Sequence, residues 1–248
     1  MSFTRNLLVL LLGAITLFTL VWTDVLPGGW RLRGWVTPHA IRQARQWAEH
    51  SVQRRMIFAT EQPSPEGAVV FLGSSTMERF PLDTAFPGVP CLDRGIGNES
   101  LPRLLERLPE SLPEARPAGA VLYLGSIDFR AQGRAPEHIS SLASLAVNWI
   151  RERHSDLPLV ILGILPEREM EPEALNRLAR TNSALARMCE EEDCTFLPTS
   201  RPPITDGEGS LNAEVAADQL HLNARGYAAL TEWLQQDDGP VGAALRGE

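Results

Sequence analysis

The sequence predicts an α/β domain, a three-layer α/β/α sandwich built on a five-stranded parallel sheet. Three observations carry that reading. Strand-like runs alternate with helical patterns along most of the chain, and several of those runs are continuously apolar, as strands buried on both faces must be. Hydrophobic residues make up 44% of the 248, enough for one sizeable core and short of what two full domains need.

The first element stands apart from that core. Between Arg5 and Asp24 lie eighteen uncharged residues, 6–23, mostly Leu, Val, Ile and Phe. As a helix they would reach roughly 27 Å at about 1.5 Å per residue, just enough to cross a bilayer. Residues 1–23 therefore read as a transmembrane anchor or a signal segment. A secretory signal has the same character, although Val21-Trp22-Thr23 makes a poor cleavage site. An uncleaved segment makes the membrane a partner through 6–23, and a cleaved one makes the protein secreted. The domain is expected on the extracytoplasmic, periplasmic face, because an N-terminal apolar segment ahead of a soluble-looking domain most often directs export. The positive-inside rule does not add to this, since Arg31 and Arg33 follow the segment closely.

Residues 24–66 form a linker and an amphipathic helix. Over 24–37 the chain is rich in Pro, Gly and Trp, and over 38–58 Ile41, Ala44, Trp47, Ala48 and Val52 share one helical face with Arg and Gln opposite. That face could dock on the domain, or the helix could lie near anionic lipid heads through its basic side.

A Pro-Ser-Pro turn at 63–65 opens the domain proper, expected over 67–237, with 238–248 as a C-terminal tail. Strands are expected at Ala68–Leu72, Val89–Leu92, Ala120–Leu124, Leu159–Ile164 and Thr195–Leu197. Helices are expected at about 100–108, 137–153, 171–191 and 223–235. In such sheets ligands bind beyond the carboxyl ends of the strands, so the loops there are the place to look.

Charge removes one class of partner. The net charge is −8, every one of the 23 basic residues is Arg, and residues 61–248 alone carry sixteen Arg against twenty-nine acids. A surface that acidic repels polyphosphate, so nucleic acid is not expected to bind. Gly95-x-Gly97 lacks the third glycine of a dinucleotide fingerprint, position 100 being Ser. Cys91, Cys189 and Cys194 show no zinc or redox spacing; Cys189 and Cys194 are close enough to bridge in an oxidising compartment, or to remain ordinary thiols.

Two segments gain meaning together. Gly73-Ser74-Ser75 follows the first strand and, alone, is an ordinary strand end capping a helix. Far along the chain, Asp218 precedes His221 by three residues, just before the last helix. A turn there could let Asp218 hold the Nδ1 proton of His221, leaving Nε2 to take a proton from a serine. By itself this pair could equally be a helix start with an incidental histidine. The first serine motif is not an α/β-hydrolase elbow, because position 77 is Met where that motif needs glycine.

In this Ser…Asp…His order the chain resembles the SGNH/GDSL hydrolase family, in its bacterial Gly-Ser-Ser variant. The likeness covers about residues 53–236 and rests on FLGSSTMERF, on Asp93-Arg94-Gly95-Ile96-Gly97-Asn98, on Leu122-Tyr123-Leu124-Gly125-Ser126-Ile127-Asp128 and on DQLHLNARGY. It implies the flavodoxin-like SGNH fold and a serine esterase needing no metal or organic cofactor. The implied substrate is an oxygen ester with a short acyl group, such as acetyl, on a carbohydrate or lipid. Ser75 would be the nucleophile, His221 the general base and Asp218 its orienting acid. The Ser75 N–H would be one oxyanion donor and the backbone of Asn98, beside Gly97, a second. The family's Gly-x-Asn-Asp motif supplies a third donor, but here it reads Gly125-Ser126-Ile127-Asp128, and isoleucine has nothing to donate. Losing one such donor costs about 10²–10³ in turnover, or about 2.7–4 kcal/mol. The side chain of Asn98 or Ser126 could fill the gap. The alternative the same substitution implies is a weakly active or non-catalytic binding domain that kept the fold.

Overall fold

The computed structural model describes residues 39–61 and 64–248. The chain divides into two compact units, Met1–His50 and Ser51–Glu248. The first is described only through the opening turns of helix α1 (His39–Thr60), and the architecture that follows is that of the second. The apolar segment expected over 6–23 lies outside the described residues. Among the described residues, no helix is long and apolar enough to cross a membrane.

Five parallel strands, β1 (Val69–Gly73), β2 (Cys91–Gly95), β3 (Gly119–Tyr123), β4 (Leu159–Leu162) and β5 (Thr195–Leu197), form one sheet in the order β2-β1-β3-β4-β5. Side chains alternate between its two faces, as the pleat requires. Val70, Leu72, Ala120, Leu122 and Ile161 meet a layer made by α4 (Leu101–Ser111), α6 (Pro136–Arg151) and α7 (Pro172–Glu191), through Leu104, Leu108, Val147, Ile150 and Leu185. Val69, Phe71, Val121, Tyr123 and Leu162 meet the opposite layer, where α8 (Ala224–Gln235) contributes Tyr227, Leu230 and Leu234. Each buried Val, Leu, Ile or Phe among these stabilises the fold by about 1.5–3 kcal/mol relative to exposure. Phe71 and, on either side of the short helix α3 (Leu82–Ala85), Phe80 and Phe86 pack ring against ring in that second layer, with centroids 5.2–5.8 Å apart. The four long helices after β1 match the expected ones to within a few residues, and α6 and α7 each open on a proline, whose fixed φ suits the first turn.

Three expectations need correction. Strand β2 lies two to three residues later than Val89–Leu92, because Arg94 is an interior strand residue here. Its guanidinium is fully buried, stacks 4.8 Å from the ring centroid of Phe58, pairs with Glu61 and donates to the Ser111 carbonyl at 3.2 Å. Secondly, α1 meets the domain through Phe58, which is fully buried, whereas Val52 of the expected docking face is 55% exposed. Thirdly, 238–248 is no tail. Helix α9 (Pro240–Leu245) buries Val241 and Leu245 in the second layer, and Gly119 leaves room for it, since a Cβ there would stand 2.8 Å from Val241 Cγ2. Cys189 and Cys194 are both free thiols.

Candidate active site

The site is assembled at the carboxyl edge of the sheet. Strand β1 ends at Gly73, where a Cβ would stand 2.5 Å from the Tyr123 carbonyl oxygen and 3.0 Å from Met77 Cγ, so only glycine allows the chain to turn so closely over β3. The turn leads into a single helical turn, α2 (Ser75–Glu78), with Ser74 at its N-cap. The two serines then part company. Ser74 is buried and hydrogen-bonds Ser126 Oγ at 3.0 Å, tying α2 to the short helix α5 (Ser126–Arg130) that follows β3. Ser75 is half-buried and directs its hydroxyl outward, 3.0 Å from His221 Nε2. As the first helical residue, Ser75 has an N–H with no intrahelical acceptor.

His221 comes from a loop built to hold it. The loop is closed by Ala217 N–H donating to the His221 carbonyl at 2.7 Å, and by Asn223, whose Nδ2 reaches the carbonyls of Glu214 at 2.8 Å and Ala216 at 3.2 Å. Asn223 also caps α8, accepting from the N–H groups of Arg225 and Gly226. Asp218 accepts the N–H of Leu220 and of His221 at 2.8 Å each, and its Oδ2 lies 2.7 Å from His221 Nδ1. Partial burial works to raise the Asp218 carboxyl, but the Leu220 N–H, the imidazole and the His221 N–H outweigh it and hold the group at about 2. A permanent carboxylate facing Nδ1 assigns the ring proton to that nitrogen, which turns the Nε2 lone pair towards Ser75. The arrangement can therefore draw a proton from the Ser75 hydroxyl.

Around Ser75 and His221 lies a narrow cleft of about 20 Å³. Thr76, Tyr123 and Ser126 form one wall, and Leu165, Pro166 and Glu167 of the loop after β4 form the other, with Arg130 beside them. The buried Tyr123 hydroxyl accepts the Leu165 N–H at 3.2 Å and so ties the walls together; its burial raises the phenol above its ordinary value. Arg130 and Glu167 face each other at 3.8 Å. No sequence pattern singles out Arg130, Leu165 or Glu167, because they come together only when the loops after β3 and β4 fold over the sheet edge. Tyr123 falls within the Leu122–Asp128 motif, which assigns it no role.

Of the other candidate residues, Ser126 lines the cleft, with its hydroxyl engaged by Ser74. Gly97, Asn98 and Ile127 are not among the lining residues. Ile127 is buried at 6% exposure, Asn98 is exposed with φ 58°, and the Gly97 N–H donates to Glu78 Oε2 at 2.5 Å. Asp128 is fully buried and structural. It accepts the Leu101 N–H at 2.8 Å, satisfying the start of α4, and Arg134 Nε at 2.9 Å. The loop carrying Gly97 and Asn98 is gripped further on by a buried ion pair. Arg107 holds both oxygens of Glu99 through Nε at 2.8 Å and reaches the Gly73 carbonyl at 3.3 Å.

Comparison with known proteins shows the family and the fold. Residues 71–229 match the profile of a family described as GDSL-like Lipase/Acylhydrolase. Platelet-activating factor acetylhydrolase IB subunit alpha1 of Bos taurus is 27% identical over 210 residues, spanning 79% of this chain and 88% of that protein. Among solved structures, a Streptococcus pneumonia protein provisionally described as a platelet activating factor superposes with a TM-score of 0.72 at 22% identity, over 79% of this chain and 96% of that one. A carbohydrate acetylesterase from Sinorhizobium meliloti gives 0.52 at 14% identity, over 67% and 95%. At these identities the structural likenesses show the fold, a five-stranded parallel sheet flanked by helices.

Proposed function

The chain belongs to the GDSL-like lipase/acylhydrolase family, hydrolases acting on ester bonds, and from that premise we propose that it is a serine esterase working through Ser75, His221 and Asp218. The observation that carries the reading is the continuous relay from Ser75 Oγ to Nε2 at 3.0 Å and from Nδ1 to Asp218 Oδ2 at 2.7 Å. Ser75 Oγ attacks the ester carbonyl carbon while Nε2 takes its proton. The tetrahedral oxyanion is received by the Ser75 N–H and, as the family likeness implies, by the backbone N–H of Asn98. Collapse breaks the bond to the alcohol oxygen, which leaves with the proton from His221, and water then cleaves the acyl-enzyme by the same route in reverse. Asp218 keeps the imidazole in the productive tautomer throughout. No metal or organic cofactor takes part in these steps.

A small cleft whose lining mixes polar groups with Leu165, Pro166 and Leu220 favours a short acyl group, such as acetyl, on a polar alcohol of the carbohydrate or lipid-headgroup kind. A tether through residues 6–23, holding the domain on the extracytoplasmic side of a membrane, belongs to the same proposal and is supported by their composition alone. The rival reading, a weakly active or non-catalytic binding domain, is supported by Ile127, which offers no donor where the family pattern has Asn. A hydrolysis screen over acetylated sugars, lysolipids and acetyl-nitrophenol, run beside Ser75→Ala, separates the two. Turnover confined to the wild type supports the esterase; equal rates for both proteins support the binding domain.

A further inference from the structure

Two side chains that take no part in the proposed bond-making steps meet at the end of β2 and the loop that follows it. Glu78 closes α2, three residues after Ser75, and accepts the Gly97 N–H at 2.5 Å. Behind it Arg54 of α1, 14% exposed, lays its guanidinium along the end of β2. Its Nε donates to the Gly95 carbonyl at 3.0 Å, a terminal nitrogen meets the Asp93 carboxylate at 2.9 Å, and Nε lies 3.9 Å from Glu78 Oε1. The approach is close because of Gly95. A Cβ there would stand 2.1 Å from Glu78 N, so only glycine lets the end of β2 rest on the backbone of α2. The short helix that starts with Ser75 and the loop that leads to Asn98 are thus joined through a single carboxylate.

We infer that Glu78, backed by Arg54 of α1, is a positioning residue: it fixes the Ile96–Gly97 peptide, one peptide ahead of the one that carries the Asn98 N–H, and so steadies that N–H as an oxyanion donor. This rests on the reading of Ser75 as the nucleophile. Glu78 itself exchanges no proton and forms no bond to substrate. Asn98 has a left-handed φ of 58°, an uncommon state for a residue with a side chain, which persists only where its surroundings hold it. The Glu78 contact lies directly before that residue, and the Arg107–Glu99 pair directly after it. A catalytic group displaced by about 1 Å can cost about 10²-fold. With the far side of the loop still gripped by Arg107, releasing the near side is expected to cost about 10-fold.

The test compares Glu78→Ala and Glu78→Gln with wild type in the full-length protein. The readouts are kcat and KM on acetyl-nitrophenol, melting temperature, and amide hydrogen exchange across 93–100. Glu78→Ala is expected to lower kcat about 10-fold with KM within about twofold, and to speed exchange at Gly97 and its neighbours. Glu78→Gln, whose amide oxygen can still accept the Gly97 N–H, is expected to restore kcat to within about threefold of wild type. An unchanged kcat in Glu78→Ala, a loss that Gln does not restore, or unchanged exchange would each overturn the inference. Should Glu78→Ala fail to fold, Arg54→Met removes the backing alone; it is expected to lower kcat about threefold at constant KM, and no change in kcat overturns the inference. Fluorophosphonate labelling of wild type is scored separately. A wild type that takes no label at Ser75 removes the nucleophile and this inference with it, whereas labelling with a kcat indifferent to Glu78 removes the positioning role alone.

Discussion

Asp218→Asn exchanges one carboxylate oxygen for an amide nitrogen and leaves the shape of the side chain. Asp218 Oδ1 accepts two backbone N–H groups at 2.8 Å, from Leu220 and His221, while Oδ2 lies 2.7 Å from Nδ1. The asparagine oxygen would keep the two backbone bonds, because they hold the loop, and its NH₂ group would then fall opposite Nδ1. A donor facing a donor reverses the tautomer. The ring proton moves to Nε2, which can no longer accept from Ser75. In a fully enclosed relay this fault costs about 10⁴ in kcat. The Asp218 side chain is 52% exposed, so water can support the amide in its other orientation, and the expected loss is smaller. We expect about 10²–10³ in kcat/KM, equivalent to about 2.7–4.1 kcal/mol. The assay is acetyl-nitrophenol hydrolysis between pH 7 and 9, with melting temperature measured alongside. A variant that kept more than about a tenth of wild-type activity while folding normally would refute the tautomer argument.

Phe58→Ala removes a fully buried ring that lies within 5.7 Å of the guanidinium carbons of Arg54, Arg94 and Arg107. A loss of about 3–5 kcal/mol in urea denaturation is expected, and a loss below about 1 kcal/mol would show that α1 does not hold the domain together. Arg107→Met leaves the Glu99 carboxylate buried without its partner and should cost about 3–5 kcal/mol; adding Glu99→Gln should recover part of it in a double-mutant cycle. Ile127→Asn is expected to raise turnover on a small acetyl ester while lowering the melting temperature, because an amide replaces a buried apolar group. Unchanged or lower turnover removes position 127 from the account of the oxyanion. A pH series checks Asp218, held at about 2 against an unfolded value of about 3.9. A depressed carboxyl stabilises the fold above the unfolded value and loses that contribution as pH falls through the folded one. The stability gap between wild type and Asp218→Asn should therefore narrow between about pH 4 and pH 2 and stay level above about pH 5.

What could be read from the chain beforehand follows from how local each feature is. Strands β1, β3 and β4 announce themselves because both of their faces are buried, so a continuous apolar run is their only possible pattern. The meeting of Ser75 with Asp218 and His221 could be anticipated from short local motifs, one after the first strand and one just ahead of the last helix, since each residue lies within a few positions of the glycine, carboxylate or helix cap that places it. The apolar run at Val89–Leu92 stops short of the end of β2, because Asp93 and Arg94 are charged. Their place in the strand depends on Phe58, Glu61 and Arg54, over thirty residues away, and pattern reading cannot supply such partners. The same limit hid Arg130 and Glu167, which share a wall of the cleft without sharing a motif. It also hid the packing of α9, whose Val241 and Leu245 are too few to mark a helix as core until the second layer is seen to need them.

The most direct test of the central claim is covalent. Wild-type protein is incubated with a fluorophosphonate, digested, and the modified peptide mapped by mass spectrometry, with His221→Ala in parallel. A phosphonyl group on the Ser75 hydroxyl, formed in wild type and lost in His221→Ala, is the predicted result. Label on Ser74 or elsewhere, or Ser75 labelled equally with and without the imidazole, would contradict the account.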